Sequence, residues 1–153
     1  MSRKDTEEFE RLYRAYQKEI SLSEGVEEFL DYCKAHNIFI AILTNGRTKS
    51  QYAKVIALDL HRWFDDDHIF ISGGIGYQKP DPMAFQYIEK MFSLNPEETW
   101  YIGDTYEADV VGADGAGWHT VWFNHRNRER LENCADVTVR SIEELSRFIK
   151  ERS

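Results

Sequence analysis

The chain is 153 residues long, 42% hydrophobic and 14% aromatic, which suits one folded domain with an adequate core and excludes a disordered polypeptide. Its formal net charge of −8 removes the basic footprint that nonspecific nucleic-acid binding needs, yet leaves room for a locally positive pocket that takes a phosphorylated metabolite. No apolar run reaches the roughly 20 residues of a membrane span, and the N-terminus is charged rather than signal-like, so a cytoplasmic protein without membrane contact is expected.

Apolar side chains at Phe9, Leu12, Tyr13, Tyr16 and Ile20 recur at helical spacing, and a second helix is expected over 26–35 with Val26, Phe29, Leu30 and Cys33 on one face. Cys33 therefore reads as a buried thiol, and with Cys134 it is too distant and too solitary for a disulfide framework or a zinc site. Residues 38–43 form a continuous apolar run, the mark of a strand covered on both faces, and Thr44-Asn45-Gly46 turn the chain after it. A helix over 48–60 follows, then a loop through Trp63-Phe64 and Asp65-Asp66-Asp67 into a strand at 68–71. The Gly/Pro-rich stretch 72–82 carries Lys79, and a helix is expected over 83–92. Asn95-Pro96 resembles a cap with a first-turn proline.

The most informative stretch is 99–117. A β-prone run, Trp100-Tyr101-Ile102, turns at Gly103 and carries Asp104 and Asp109 into a helix of small residues closed by Gly115 and Gly117. Residues 120–123 and 137–139 read as further strands, 125–133 as a charged surface segment, and Ser141 to Glu144 as a capping box that opens the terminal helix. His36, His119 and His125 lack metal-like spacing and read as surface or strand-end residues. Trp118 and Trp122 read as core or interface. Strand and helix alternate throughout, so a parallel sheet with helices on both faces is expected.

In such a sheet the loops after successive strands emerge on one edge, where α/β folds place ligand chemistry. Here those loops bring Thr44 and Asn45, then Lys79, then Asp104 with Asp109 nearby. Hydroxyl and N–H donors suit phosphoryl oxygens, an ammonium offsets their charge, and carboxylates suit Mg²⁺. Each residue also has an ordinary reading: a plain turn at 44–46, a solvated Lys79, a first-turn helix acid at Asp109. The combination and its order are what point to phosphoryl chemistry.

Ile42-Leu43-Thr44-Asn45-Gly46, Lys79-Pro80-Asp81-Pro82, and Gly103-Asp104-Thr105 with Asp109 and Ala116-Gly117 resemble the second, third and fourth motifs of the haloacid dehalogenase (HAD) superfamily. The likeness covers about Ser23 to Phe123 and is greatest to the helical-cap subgroup with nucleotidase- and phosphoglycolate-phosphatase-like enzymes. It implies a three-layer, Rossmann-like α/β core and Mg²⁺-dependent hydrolysis of a small phosphorylated metabolite. Thr44 and Asn45 would then bind phosphoryl oxygens, Lys79 would steady the nucleophile and the phosphate, Asp104 would ligate Mg²⁺, and Asp109 would support the metal site.

The family's first motif, an apolar strand ending in Asp-x-Asp-x-Thr, has no counterpart in these residues; Asp5-Thr6 follows no strand and Asp65-Asp66-Asp67 precedes one. Residues 1–22 are accordingly expected to be a cap or lead-in remnant and 23–153 the core, with the first central strand missing. The expected form is N-terminally shortened, inactive alone and weak in Mg²⁺ binding. An alternative is a non-catalytic partner module whose open sheet is completed by a second copy or another complementing chain. A receiver-like phosphoacceptor domain is a more distant alternative, since its acidic cluster would precede the Thr and Lys.

Overall fold

The computed structural model describes residues 3–19 and 21–153; the side chains of Asp5 and of residues 16–19 are not among those described. The chain divides into two compact units, Met1–Gly76 and Tyr77–Ser153.

In the first unit, helix α1 (Arg3–Glu19) lies against helix α3 (Thr48–Ala57). Phe9 packs on Tyr52 with ring centroids 6.0 Å apart, and Lys49 Nζ donates to Glu8 Oε2 at 3.1 Å. Of the stripe expected on α1, Ile20 and the Tyr16 side chain lie outside the described residues. Helix α2 (Val26–Ala35) buries Leu30 and Cys33, and Leu30 joins Trp63 and Phe64 in a core completed by Val26, Phe29, Ile40, Ile42 and Ile69. Cys33 is the buried thiol its position implies.

Strand β1 (Ile42–Thr44) pairs in parallel with β2 (Ile69–Ile71), Leu43 opposite Phe70. β1 is shorter than the apolar run 38–43 that announces it, because a strand is as long as its ladder and this ladder spans three residues. Of residues 38–41, Ile40 still packs on the core without ladder bonds, while Phe39 is exposed. Helix α3 likewise stops at Ala57, three residues early, and a 3₁₀ turn at Leu60–Arg62 follows. A second 3₁₀ turn, Asp66–His68, leads into β2, and β2 runs directly into the single-turn helix α4 (Ser72–Ile75).

In the second unit, β3 (Trp100–Gly103), β4 (His119–Phe123) and β5 (Val137–Val139) form a parallel sheet in that order. Helix α5 (Pro82–Phe92) starts at Asp81, whose carboxylate accepts from the Met83 N–H at 2.9 Å. It buries Ala84, Phe85 and Ile88. Phe85 meets Tyr101 and Trp118 edge-on, with centroids 5.0 and 5.5 Å apart. After β3 the chain makes a π-helical turn, Tyr106–Val111, continued by helix α6 (Gly112–Gly115). A Cβ at Gly112 would meet Phe85 at 2.8 Å and the Pro80 backbone at 3.0 Å, which explains the small residues there. Helix α7 (Ile142–Arg152) is capped by Ser141 Oγ, which accepts from the Glu144 N–H at 3.2 Å. Trp118 and Trp122 are both buried. No described helix is long and apolar enough to cross a membrane.

Candidate active site

Two clusters flank the C-terminal end of β3. The first is built on Asp109. Its Oδ1 receives the Lys79 Nζ at 2.6 Å, and its Oδ2 accepts from the Thr105 N–H at 2.9 Å. Lys79 also donates to the Tyr101 hydroxyl at 3.1 Å. The Lys79 and Asp109 side chains are 11% and 6% exposed, so this ion pair is buried. Gly103 makes room for it, because a Cβ there would fall on the Asp109 carboxyl group. The wide π turn positions Asp109 to reach back over β3; such turns recur at functional sites.

Burial pushes the Lys79 ammonium towards its neutral form, but Tyr101 and Asp109 more than offset this and hold it above the ordinary lysine value. Burial likewise pushes the Tyr101 hydroxyl up. A group whose folded pKa is raised stabilises the fold below its unfolded pKa and loses that contribution as pH rises through the folded one. Both groups therefore make the fold weaken at alkaline pH, above their ordinary values of 10.5 and 10.0. The urea midpoint is expected to fall as the pH rises above these ordinary values; Lys79→Met with Tyr101→Phe should flatten that part of the profile.

The second cluster is built on Asp104. The parallel register sets Gly103 opposite Trp122, so the residues after β3 and after β4 emerge side by side. His125 Nε2 lies 3.1 Å and an Arg126 guanidinium nitrogen 3.5 Å from Asp104 Oδ2, and the Thr105 hydroxyl donates to Oδ1 at 3.3 Å. The indole N–H of Trp122 donates to the Asp104 carbonyl at 3.3 Å. Burial raises the Asp104 carboxyl, but His125, Arg126 and Thr105 outweigh it and leave the group below its ordinary value. The side chain is 41% exposed.

A hard divalent cation fits this site only in part. Asp104 offers exposed carboxylate oxygens of the right chemistry. Asp109 is a poor direct ligand, since one oxygen is spent on an ammonium and the other on a backbone N–H. Among the described residues no group of three or more His, Cys, Asp or Glu could hold a metal ion. A cation at Asp104 would lean on water and on a phosphoryl oxygen for the remaining positions.

Thr44 and Asn45 belong to the first unit. The Thr44 hydroxyl donates to Gln51 Oε1 at 3.0 Å. The turn after β1 is tied to α4: the Gly46 N–H donates to Ser72 Oγ at 2.9 Å, and the Gly73 N–H donates to the Gly46 carbonyl at 3.0 Å. Thr44 ends β1, Asn45 and Asp104 directly follow β1 and β3, Lys79 lies in the turn beyond α4, and Asp109 lies in the π-helical turn after β3. Lys79 and Asp109 touch, and Asp104 stands directly after Gly103, five residues before Asp109. Gln51, Tyr101, His125 and Arg126 were not anticipated.

A parallel sheet with a buried lysine–carboxylate pair and a half-exposed aspartate beside the end of β3 makes this an α/β protein with a clustered set of charged groups at one strand end. Residues 1–123 match the profile of the haloacid dehalogenase-like hydrolases, and the chain belongs to that family. It is 30% identical over 125 residues to a glyceraldehyde 3-phosphate phosphatase of Pyrococcus furiosus, a match covering 79% of this chain and 51% of the relative. It is 34% identical to a phosphoserine phosphatase of Thermus thermophilus, over 78% of this chain and 47% of that one. Among solved structures, a HAD phosphatase from Thermococcus onnurineus superposes with a TM-score of 0.81 at 27% identity, covering 92% of this chain and 64% of that one. The three-layer Rossmann-like α/β assignment holds, and the chain spans about half the length of the curated relatives it matches.

Proposed function

We propose that this chain carries the phosphate-steadying and cation-binding half of a Mg²⁺-dependent cytoplasmic phosphatase for a small phosphorylated metabolite. The observation that carries the reading is the buried Lys79–Asp109 pair at the end of β3 beside the half-exposed Asp104. The Lys79 ammonium, held charged by Asp109 and Tyr101, would offset negative charge on a phosphoryl group. Asp104 would hold the cation, which when bound supplies further neutralisation of phosphoryl oxygens. Asp109 positions Lys79 and the Thr105 N–H rather than binding the cation itself. In the first unit the same reading assigns Thr44 and Asn45 to phosphoryl oxygens. The relatives' names differ in substrate, so the reading stops at the class of phosphorylated metabolite.

Covalent phosphoryl transfer needs an activated nucleophile, and these 153 residues contain no strand ending in Asp-x-Asp-x-Thr. The chain by itself is therefore expected to hydrolyse p-nitrophenyl phosphate with Mg²⁺ no faster than its Asp104→Ala variant. Robust turnover lost in that variant would overturn the inactivity.

A second reading, a partner module completed by a second copy or another chain, is favoured by the β1–β2 sheet. Two strands of three residues are fewer than a free-standing sheet needs, and β1 ends that sheet. Light scattering tests it: concentration-dependent dimers are expected under this reading, and a monomer at every concentration contradicts self-association.

A further inference from the structure

We infer that the Asn45–Gly46 pair is a site of spontaneous backbone modification, and that the Ser72 hydroxyl holds it in check. It is the one Asn-Gly pair in the chain. Glycine after asparagine leaves the next backbone nitrogen free to approach the side-chain amide, because no side chain obstructs it. In the reaction the Gly46 nitrogen gives its proton to a solvent base and bonds to Asn45 Cγ, while the bond from Cγ to Nδ2 breaks and ammonia leaves. Water then opens the cyclic imide at either carbonyl. One opening restores the ordinary peptide bond with an aspartate side chain; the other leaves an isoaspartyl linkage, in which the backbone runs through the former side chain. Water is taken up and ammonia given off, and solvent is the only co-reactant.

The fold opposes the first step. The Gly46 N–H donates to Ser72 Oγ at 2.9 Å, and the same hydroxyl donates to the Gly46 carbonyl at 3.3 Å. The Gly73 N–H reaches that carbonyl as well, at 3.0 Å. The start of α4 therefore grips Gly46 by both its polar groups. Ser72 is buried, and a Cβ at Gly73 would meet the Gly46 carbonyl at 2.8 Å, so the two segments lie as close as glycine permits. Removing the Gly46 proton, or turning the nitrogen onto Asn45 Cγ, breaks the bond to Ser72. Conversion would set a carboxylate in the turn that the proposed function assigns to phosphoryl oxygens, and would repel them; that consequence rests on the proposed function, whereas the conversion rates do not.

The test follows conversion of the 153-residue chain over time at neutral pH. After digestion, the peptide spanning residue 45 is weighed for exchange of its amide for a hydroxyl, and an isoaspartyl methyltransferase counts the isomerised product. Conversion should be at least about tenfold faster in urea than in the folded chain, since unfolding removes every bond to Gly46. Ser72→Ala, shown to be folded by circular dichroism, should convert about three- to tenfold faster than the unaltered chain, as befits one lost hydrogen bond. Ile40→Val is the control: it trims the core around Leu30 at a comparable cost in stability and leaves the Ser72 hydroxyl in place. Its rate should stay close to that of the unaltered chain.

Absence of conversion even in urea would overturn the site itself. Equal rates in urea and in the folded chain would overturn the protection, whether or not Ser72→Ala folds. An unchanged rate in Ser72→Ala would overturn the part given to Ser72. An equal acceleration in Ile40→Val would do the same, by assigning the effect to opening of the whole Met1–Gly76 unit.

Discussion

Asp109→Ala will destabilise the Tyr77–Ser153 unit by about 3–5 kcal/mol, the range for stranding one partner of a buried ion pair. The Lys79 side chain is 11% exposed and would lose the carboxylate that holds its ammonium at 2.6 Å. The Thr105 N–H would lose its acceptor at the same time. Such a loss rivals much of a domain's entire stability. Urea unfolding followed by tryptophan fluorescence measures it. Lys79→Met combined with Asp109→Leu should be less damaging than Asp109→Ala alone, because two apolar side chains need no desolvated charge balanced. A double variant as unstable as the single would show that the cost lies in packing and not in the stranded charge.

Gly103→Ala is expected to cost about 2–4 kcal/mol, more than an added methyl group alone would, because overpacking is compounded by loss of the buried pair. The new Cβ would occupy the space of the Asp109 carboxyl group, so the substitution must expel that side chain from both Lys79 and Thr105. The control is Gly115→Ala, where the nearest atom to a new Cβ is Pro82 Cγ at an ordinary 3.6 Å. Thermal melts of the two variants should separate clearly; equal melting temperatures would mean that Gly103 is not the residue that admits Asp109.

These effects bear on which parts of the molecule could be read from sequence. The strand-end positions of Thr44 and Asp104 were legible because apolar runs mark strands and glycine marks the turns after them, whereas the short helix α4 between β2 and Lys79 was hidden in a Gly/Pro-rich stretch. The ends of elements were less so. An apolar run records burial, whereas a strand also needs a neighbour's backbone: residues 38–41 keep their apolar character but β1 begins at Ile42, where its ladder with β2 starts. The turn at Tyr106–Val111 reads as ordinary helix in sequence, since its widening comes from the reach of Asp109 back to Lys79 and Thr105, partners at separations of 30 and four residues.

His125 and Arg126 were passed over because nothing in their local spacing points to Asp104, 21 and 22 residues upstream. The signal was in the topology. Adjacent parallel strands deliver their following loops to the same edge, so residues just beyond Phe123 had to land beside those just beyond Gly103. Tyr101 was hidden for a related reason. It sits within a strand, and its hydroxyl matters only once Lys79 is placed against it.

Under the proposed function two neighbouring carboxylates do different work: Asp104 would meet the cation, while Asp109 holds the lysine. Mn²⁺ titration of Asp104→Asn beside the Lys79→Met, Asp109→Leu double variant tests that division directly, with circular dichroism confirming that both remain folded. The account predicts that binding disappears in the first and persists in the second. Binding that survives Asp104→Asn and vanishes from the double variant would contradict it.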